Sequence, residues 1–138
     1  MERSVTAKDA ILSTDFENMD LLPANIDLSA AEVQLVNEVA REQVLERALR
    51  QVRDDYDVVL IDCQPSLGLL TVNALTASHG VIIPLTAEFF ALRAVALLVE
   101  TIEKVQDRLN PDLEIDGVLA TMFDLSLIHI SEPTRLRR

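Results

Sequence analysis

A short uncharged run, Val58–Ile61, stands out in the pattern of apolar and polar positions. Asp54 and Asp55 precede this run, and Pro65 follows it. A β-branched and aliphatic run with polar borders is typical of a strand that is covered on both faces of a sheet. The sequence therefore predicts a buried strand at Val58–Ile61.

Similar patterns predict the other elements. Ser29–Val52 is the clearest helix, because Ser29 and Glu32 have the spacing of a capping box and apolar residues then recur at helical intervals. The remaining predicted elements are helices at Leu67–Ser78 and Phe89–Leu109, strands at Met19–Ala24, Val81–Leu85 and Ile115–Phe123, and a turn or two of helix at Ala7–Leu12. Alternating strands and helices predict an α/β fold with a mostly parallel sheet and right-handed crossovers.

Asp62 directly follows the predicted strand at Val58–Ile61. A carboxylate at that position is costly unless a cation or a hydrogen-bond donor meets it. Ligands collect at the carboxyl ends of parallel strands, and P-loop NTPases use an aspartate there to hold the magnesium shell of a nucleotide. On spacing alone, the simpler interpretation of Pro65 and Ser66 is a strand-to-helix turn with a helix cap.

The wider sequence resembles a known family. The text VVLIDCQPSLGLLTVNALTASHGVIIPLTAEFFAL, continuing to DGVLATMFD, is similar to the ParA/Soj chromosome- and plasmid-partitioning ATPases over Met19–Asp124. Gln64 departs from the DCPPSLG that the family usually carries. The resemblance implies part of a P-loop NTPase-like three-layer fold, in which helices flank a mostly parallel sheet that lacks its N-terminal Walker A strand.

The resemblance also implies roles for individual residues. Asp62 would bind Mg²⁺ through a water molecule, and Cys63, Gln64, Pro65 and Ser66 would form a switch-like loop that senses the γ-phosphate. Thr121 and Asp124 end a predicted strand on the ligand side, so they are candidates to approach the nucleotide. Asn73 is expected either near this loop or on a neighbouring backbone group. Cys63 is interpreted as a small buried hydrophobe rather than a reactive thiol.

Much of the family's site has no counterpart in this sequence. The glycines are Gly68, Gly80 and Gly117 and the lysines are Lys8 and Lys104, so no Walker A loop is present. In the family that loop and a second acidic motif would precede Met1, and the DNA-contacting basic residues would follow Asp124. We therefore expect no complete catalytic site in this chain, and neither ATP hydrolysis nor tight binding of ATP and Mg²⁺ by the chain alone.

Composition and charge narrow the expected partners. The 138 residues suffice for one domain, predicted at residues 1–124, whereas LSLIHISEPTRLRR at 125–138 looks like a translated vector or adapter sequence. The formal net charge is −11, and without residues 125–138 only 9 basic residues face 22 acidic ones. This balance argues against DNA binding by the chain itself. A single cysteine and no span-length apolar run fit a cytoplasmic protein without membrane contact.

Three interpretations of function stay open. The first is a fragment of a ParA-type ATPase, whose family forms ATP-dependent dimers, binds DNA non-specifically at the nucleoid and is stimulated by a ParB-type partner. The second is a fragment of a MinD-like division-site ATPase, and the third is a non-catalytic α/β interaction module. A fragment without the central strand beside Val58–Ile61 would leave apolar edges unpaired, so we expect it to be poorly stable. His79 and His129 receive no functional role.

Overall fold

Two parallel strands and the long helix that connects them give the chain its α/β fold. A computed structural model describes residues 6–86 and 91–122. Within them lie five α-helices and four strands: α1 Ala7–Ala10, β1 Leu12–Ser13, β2 Asp20–Leu21, α2 Leu28–Leu35, α3 Val44–Leu49, α4 Leu69–Ala77, β3 Gly80–Thr86, α5 Ala91–Arg108 and β4 Glu114–Thr121. Short 3₁₀ turns occupy Arg41–Gln43 and Arg53–Asp55. None of the described helices has the length and apolar character needed to cross a membrane.

Strands β3 and β4 form a parallel ladder that runs from Gly80 opposite Glu114 to Thr86 opposite Thr121. The 18-residue helix α5 connects them, as a parallel pair requires a long crossover. Among the described residues, β3 has a strand partner on one side only. An edge strand tolerates Pro84, which has no amide hydrogen to donate to a second neighbour. The predicted parallel arrangement of these two strands is confirmed.

The hydrophobic core lies between α4, β3 and α5. Ile102 on α5 is fully buried, and it clusters with Leu75, Ile83, Val105 and Leu113. Val95 and Leu98 of α5 and Leu109 directly after it also pack against this cluster, and together with Ile102 and Val105 they recur at intervals of three or four. This apolar stripe is the helical periodicity that the sequence shows, and it fixes α5 against the β3–β4 ladder.

Asn110 ties the end of α4 to the loop that follows α5. Its Nδ2 donates to the carbonyl oxygens of Leu75, Thr76 and Ser78 at 3.0, 3.2 and 2.7 Å. The last carbonyls of a helix have no partner inside the helix, so this side chain supplies the hydrogen-bond donors that the helix end lacks.

The helices and strands predicted from residue 67 onward are confirmed within the described residues, with bounds shifted by one to a few residues.

The predicted helix at Ser29–Val52 is wrong in its extent. Helix α2 ends at Leu35, and Ala40 adopts a left-handed backbone with φ of 54°. The capping box of Ser29 and Glu32 does not form, because Asp27 is the N-cap residue and no side chain caps the helix there. The backbone of Arg41 and Leu45 instead bonds to Asn73 of α4, which competes with one continuous helix.

The predicted buried strand at Val58–Ile61 is also wrong. No strand is formed there, and Val58, Val59 and Leu60 are 71, 44 and 87% exposed. The physical reason is the lack of a neighbour: among the described residues no strand pairs with this segment, so its backbone has no ladder to join. An apolar sequence alone cannot hold a strand in place.

The strand predicted at Met19–Ala24 shortens to β2, which pairs antiparallel with β1. Thr14 supports this hairpin by donating its hydroxyl to the carbonyl oxygen of Met19 at 2.6 Å. Tyr56 donates its hydroxyl to Asp20 Oδ2 at 2.8 Å, and this hydrogen bond raises the pKa of Tyr56. The hairpin is thus connected to the segment that leads into Val58.

Truncation of the central core residue should be costly. We expect Ile102→Ala to lower the free energy of unfolding by about 2–5 kcal/mol, because it removes buried methylene groups and leaves a cavity. Leu97→Ala on the exposed side of the same helix should cost about 0.5 kcal/mol or less. Urea unfolding followed by circular dichroism measures both, and equal losses would contradict the core described above.

Candidate functional site

A groove of about 1470 Å³ separates the segment 56–67 from β3. Its walls include the apolar side chains of Val58, Leu60 and Ile82, and Leu97 and Leu98 of α5 also line it. The segment 56–67 thus forms one side of the groove and β3 forms the other, and no described strand lies between them. The predicted fold, which had a strand at Val58–Ile61, did not include this gap.

The predicted loop residues line this groove. Asp62, Cys63, Gln64, Pro65 and Ser66 all line it, and so do Leu85 and Thr86 at the carboxyl end of β3. All five loop residues are exposed. The Asp62 loop and the carboxyl end of a parallel strand thus line the same groove, and α/β folds bind their ligands at such strand ends.

Two side-chain contacts hold the exit of this loop. The hydroxyl of Thr71 donates to the carbonyl oxygen of Ser66 at 2.6 Å. The backbone amide of Leu70, in the first turn of α4, donates to Glu32 Oε1 at 3.2 Å. Glu32 belongs to α2 and stands 38 residues away in sequence, so no local pattern could have indicated this contact. Sequence reasoning assigned Glu32 to a capping box of its own helix and missed it.

The prediction that Cys63 is a buried hydrophobe is wrong, because its side chain is exposed beside the groove. Its Sγ is 3.7 Å from the carbonyl oxygen of Ile61. Partial desolvation by neighbouring protein atoms raises the pKa of the Cys63 thiol, and the negative charge of Asp62 raises it further. Cys63 is therefore accessible to solvent. Both effects on its pKa disfavour the thiolate form.

Asn73 satisfies backbone groups away from the groove. Its Oδ1 accepts from the amide of Leu45 at 3.1 Å, and its Nδ2 donates to the carbonyl oxygens of Arg41 and Leu69 at 2.8 and 3.0 Å. The side chain is buried and does not line the groove. Of the two expected roles, the structure supports the backbone partner.

The other candidates divide between the described and undescribed residues. Thr121 pairs with Thr86 in the ladder and is half-buried, but it does not line the groove. Asp124 lies outside the described residues. His79 is exposed, as expected for a surface residue.

The groove is acidic. Its lining includes one basic side chain, Arg53, and five carboxylates: Glu46, Asp54, Asp57, Asp62 and Asp116. Among residues 6–86 and 91–122, no three metal-binding side chains cluster closely enough to hold an ion by themselves. Mg²⁺ in nucleotide sites commonly takes one or two carboxylates together with phosphate oxygens and waters, so Asp62 fits as one contributor and not as a complete site.

Comparison with known proteins identifies the family. The AAA domain family matches residues 1–115. Sporulation initiation inhibitor protein Soj of Bacillus subtilis is 52% identical over 116 residues, which cover 84% of this chain and 46% of Soj. The chain belongs to the AAA domain family and, within it, to the ParA/Soj group. The family resemblance seen in the sequence is confirmed.

Further relatives define how much of the family's length is present. A Mycobacterium tuberculosis protein is 58% identical over 132 residues, which cover 96% of this chain but 42% of that protein. The chain thus spans less than half the length of these curated relatives.

Solved structures of similar proteins support the fold class. Cobyrinic acid a,c-diamide synthase from Mycobacterium smegmatis, solved with ADP and magnesium, has a TM-score of 0.85 and 50% identity, covering 91% of this chain and 51% of that one. A plasmid partition protein from Borrelia burgdorferi has a TM-score of 0.71 and 29% identity, covering 88% of this chain and 52% of that one. The chain therefore has a partial P-loop NTPase-like fold.

The titration of Cys63 should depend on its acidic neighbour. Asp62→Asn removes a negative charge, so we expect the pKa of the thiol to fall and its alkylation by iodoacetamide to reach half-maximal rate at a lower pH. Because desolvation is the larger cause, the midpoint should still lie above that of the chain in urea. Asp54→Asn is the matched control. An unchanged midpoint in Asp62→Asn would contradict the contact.

Proposed function

We propose that the chain is the middle part of a ParA/Soj-type ATPase that acts in chromosome or plasmid partitioning. Residues 1–124 form the ATPase part, and residues 125–138 are a tail foreign to it. The observation that carries the proposal is that the Asp62 loop and the carboxyl end of β3 line the same groove. Membership of the ParA/Soj group supplies the chemistry that such a loop would serve.

Phosphoryl transfer depends mainly on positioning and on neutralisation of charge. A bound Mg²⁺ would supply positive charge to the phosphate oxygens. Asp62 would hold this ion through a water molecule, which its exposed position allows. Gln64 and Ser66, in the turn where the Ser66 amide donates to the Gln64 carbonyl at 2.7 Å, would lie beside the terminal phosphate.

The groove is the place where the remainder of the nucleotide site would enter. A strand from the part of the longer relatives that lies outside the matched region would pair with β3 on one side and with Val58–Ile61 on the other. This insertion would cover Val58, Leu60 and Ile82, which are exposed. It would also bring a glycine-rich loop next to Asp62, where backbone amides and a lysine could offset the acidic lining.

Partners and location follow from the same proposal. The intact protein would work in the cytoplasm at the nucleoid, dimerise on binding ATP, contact DNA non-specifically and respond to a ParB-type protein. Outside residues 125–138 the chain has 9 basic and 22 acidic residues, so the DNA contacts would come from other parts of the intact protein.

A chimera tests this proposal. In the chimera, the part of the chain that matches Bacillus subtilis Soj replaces the corresponding 116-residue region of Soj. Binding of ATP with Mg²⁺ and release of phosphate are then measured. We expect the chain alone to show no micromolar ATP binding, because one carboxylate among acidic neighbours repels phosphate. The chimera should bind and hydrolyse ATP. Asp62→Ala in the chimera should abolish hydrolysis, since a metal-shell carboxylate is worth several kcal/mol (roughly 3 or more) to the transition state.

Cys63→Ser is the control in the same chimera, and we expect its turnover to stay near that of the unaltered chimera. Near-normal turnover in Asp62→Ala, or its loss in Cys63→Ser, would overturn the assignment of this loop to the nucleotide. A folded chimera that does not bind ATP would favour the non-catalytic interaction module, whereas ATP-dependent membrane association would favour the MinD-like alternative.

A second candidate is the activity named for the Mycobacterium smegmatis structure. Its 50% identity and TM-score of 0.85 are the observations in favour of ATP-dependent synthesis of cobyrinic acid a,c-diamide. A second chimera, built on that enzyme, tests this candidate. Conversion of cobyrinic acid by this second chimera, together with a lack of DNA-dependent ATP hydrolysis by the Soj chimera, would favour the second candidate.

A further inference from the structure

We propose that Glu32 is a positioning residue: its carboxylate holds the start of α4 and, through α4, the loop from Asp62 to Ser66. The first amides of a helix have no acceptor within the helix. Gly68 is the N-cap residue of α4 and has no side chain to accept from them. Glu32 Oε1, reaching across from α2, accepts from the Leu70 amide at 3.2 Å instead. A carboxylate at this end of a helix is also favoured by the helix dipole.

The space at Gly68 fits this carboxylate. A Cβ atom at Gly68 would collide with Glu32 Oε1 and would come within 3.3 Å of Glu32 Cδ. The backbone of Gly68, with φ of −78°, is one that any residue adopts. Glycine therefore leaves room for the Glu32 carboxylate in this position, and its backbone freedom is not required. Glu32 and Gly68 form a matched pair, which we call the Glu32–Gly68 latch.

The latch connects to the functional loop through one further hydrogen bond. Thr71, in the same first turn of α4 as Leu70, holds the carbonyl oxygen of Ser66 at 2.6 Å. If the first turn of α4 frays, this anchor is lost together with the Glu32 contact. The segment 62–66, which lines the groove, would then be free to move. Glu32 thus acts on the Asp62 loop through α4 without touching it.

Helix α2 gains a role from this contact. Its residue Val33 is exposed, and so is Val36 directly after it. No residue of α2 is buried, so few apolar contacts hold this helix in place besides the Glu32 hydrogen bond. A partner or a further part of the protein that displaced α2 would therefore pull the Glu32 carboxylate from Leu70 and release the loop. That this release would matter for the nucleotide rests on the proposed function, but the latch itself does not.

Amide hydrogen exchange of the 138-residue chain tests the latch without nucleotide. The measured quantity is the exchange rate of the Leu70 amide divided by that of Ile102 in the core of α5. Glu32→Ala should raise this ratio roughly tenfold, because a charge-assisted hydrogen bond is lost. Glu32→Gln keeps an acceptor of the same length and should raise the ratio less. Glu38→Ala, which removes an exposed carboxylate just beyond α2, should leave it unchanged.

A double-mutant cycle separates the latch from a general loss of stability. Gly68→Ala should raise the Leu70 ratio by displacing the Glu32 carboxylate, whereas the same change in Glu32→Ala should add little. An unchanged ratio in Glu32→Ala, or additive effects in the cycle, would overturn the latch. If Glu32→Ala does not fold, Glu32→Gln with Gly68→Ala decides by the same criterion. A result that overturns the latch would leave the assignment of Asp62 to the nucleotide standing, and a chimera that fails to hydrolyse ATP would leave the latch standing.

Discussion

A β-strand persists only when neighbouring strands pair with its backbone, and this requirement shapes the whole chain. Val58–Ile61 has the sequence of a buried strand, yet its side chains are mostly exposed and it joins no ladder. Across the groove, β3 pairs with β4 and has an unpaired second edge among the described residues. The exposure of Cys63 and the open groove both follow from this one unmet pairing.

The other half of the molecule shows what sufficient packing achieves. Helix α5 buries Ile102 against α4 and the β3–β4 ladder, and Asn110 closes the end of α4. Buried polar side chains there have partners: Asn73 bonds three backbone groups at once. The Asp62 loop is attached to this stable half through α4, so the loop depends on the contacts of Thr71 and Glu32 for its position.

The sequence was most informative where local pattern and tertiary packing agree. The periodic apolar residues of α5 and the apolar residues of β3 and β4 predicted the parallel α/β core, and VVLIDCQPSLG indicated the loop. Prediction failed where a distant group decides the outcome. Asn73 takes the backbone of Arg41 and Leu45 and so competes with the long helix predicted at Ser29–Val52. The exposure of Cys63 depends on whether a strand pairs with Val58–Ile61. A local sequence pattern does not show whether such a partner strand is present.

Amide hydrogen exchange at Val59 and Leu60 tests the central claim most directly. The account predicts fast exchange at Val59 and Leu60 in the isolated chain, because these amides have no ladder partner. In the Soj chimera, a strand inserted into the groove should slow exchange at Val59 and Leu60 by roughly a hundredfold or more. Equal rates in the two proteins, or slow exchange at Val59 and Leu60 in the isolated chain, would contradict the account.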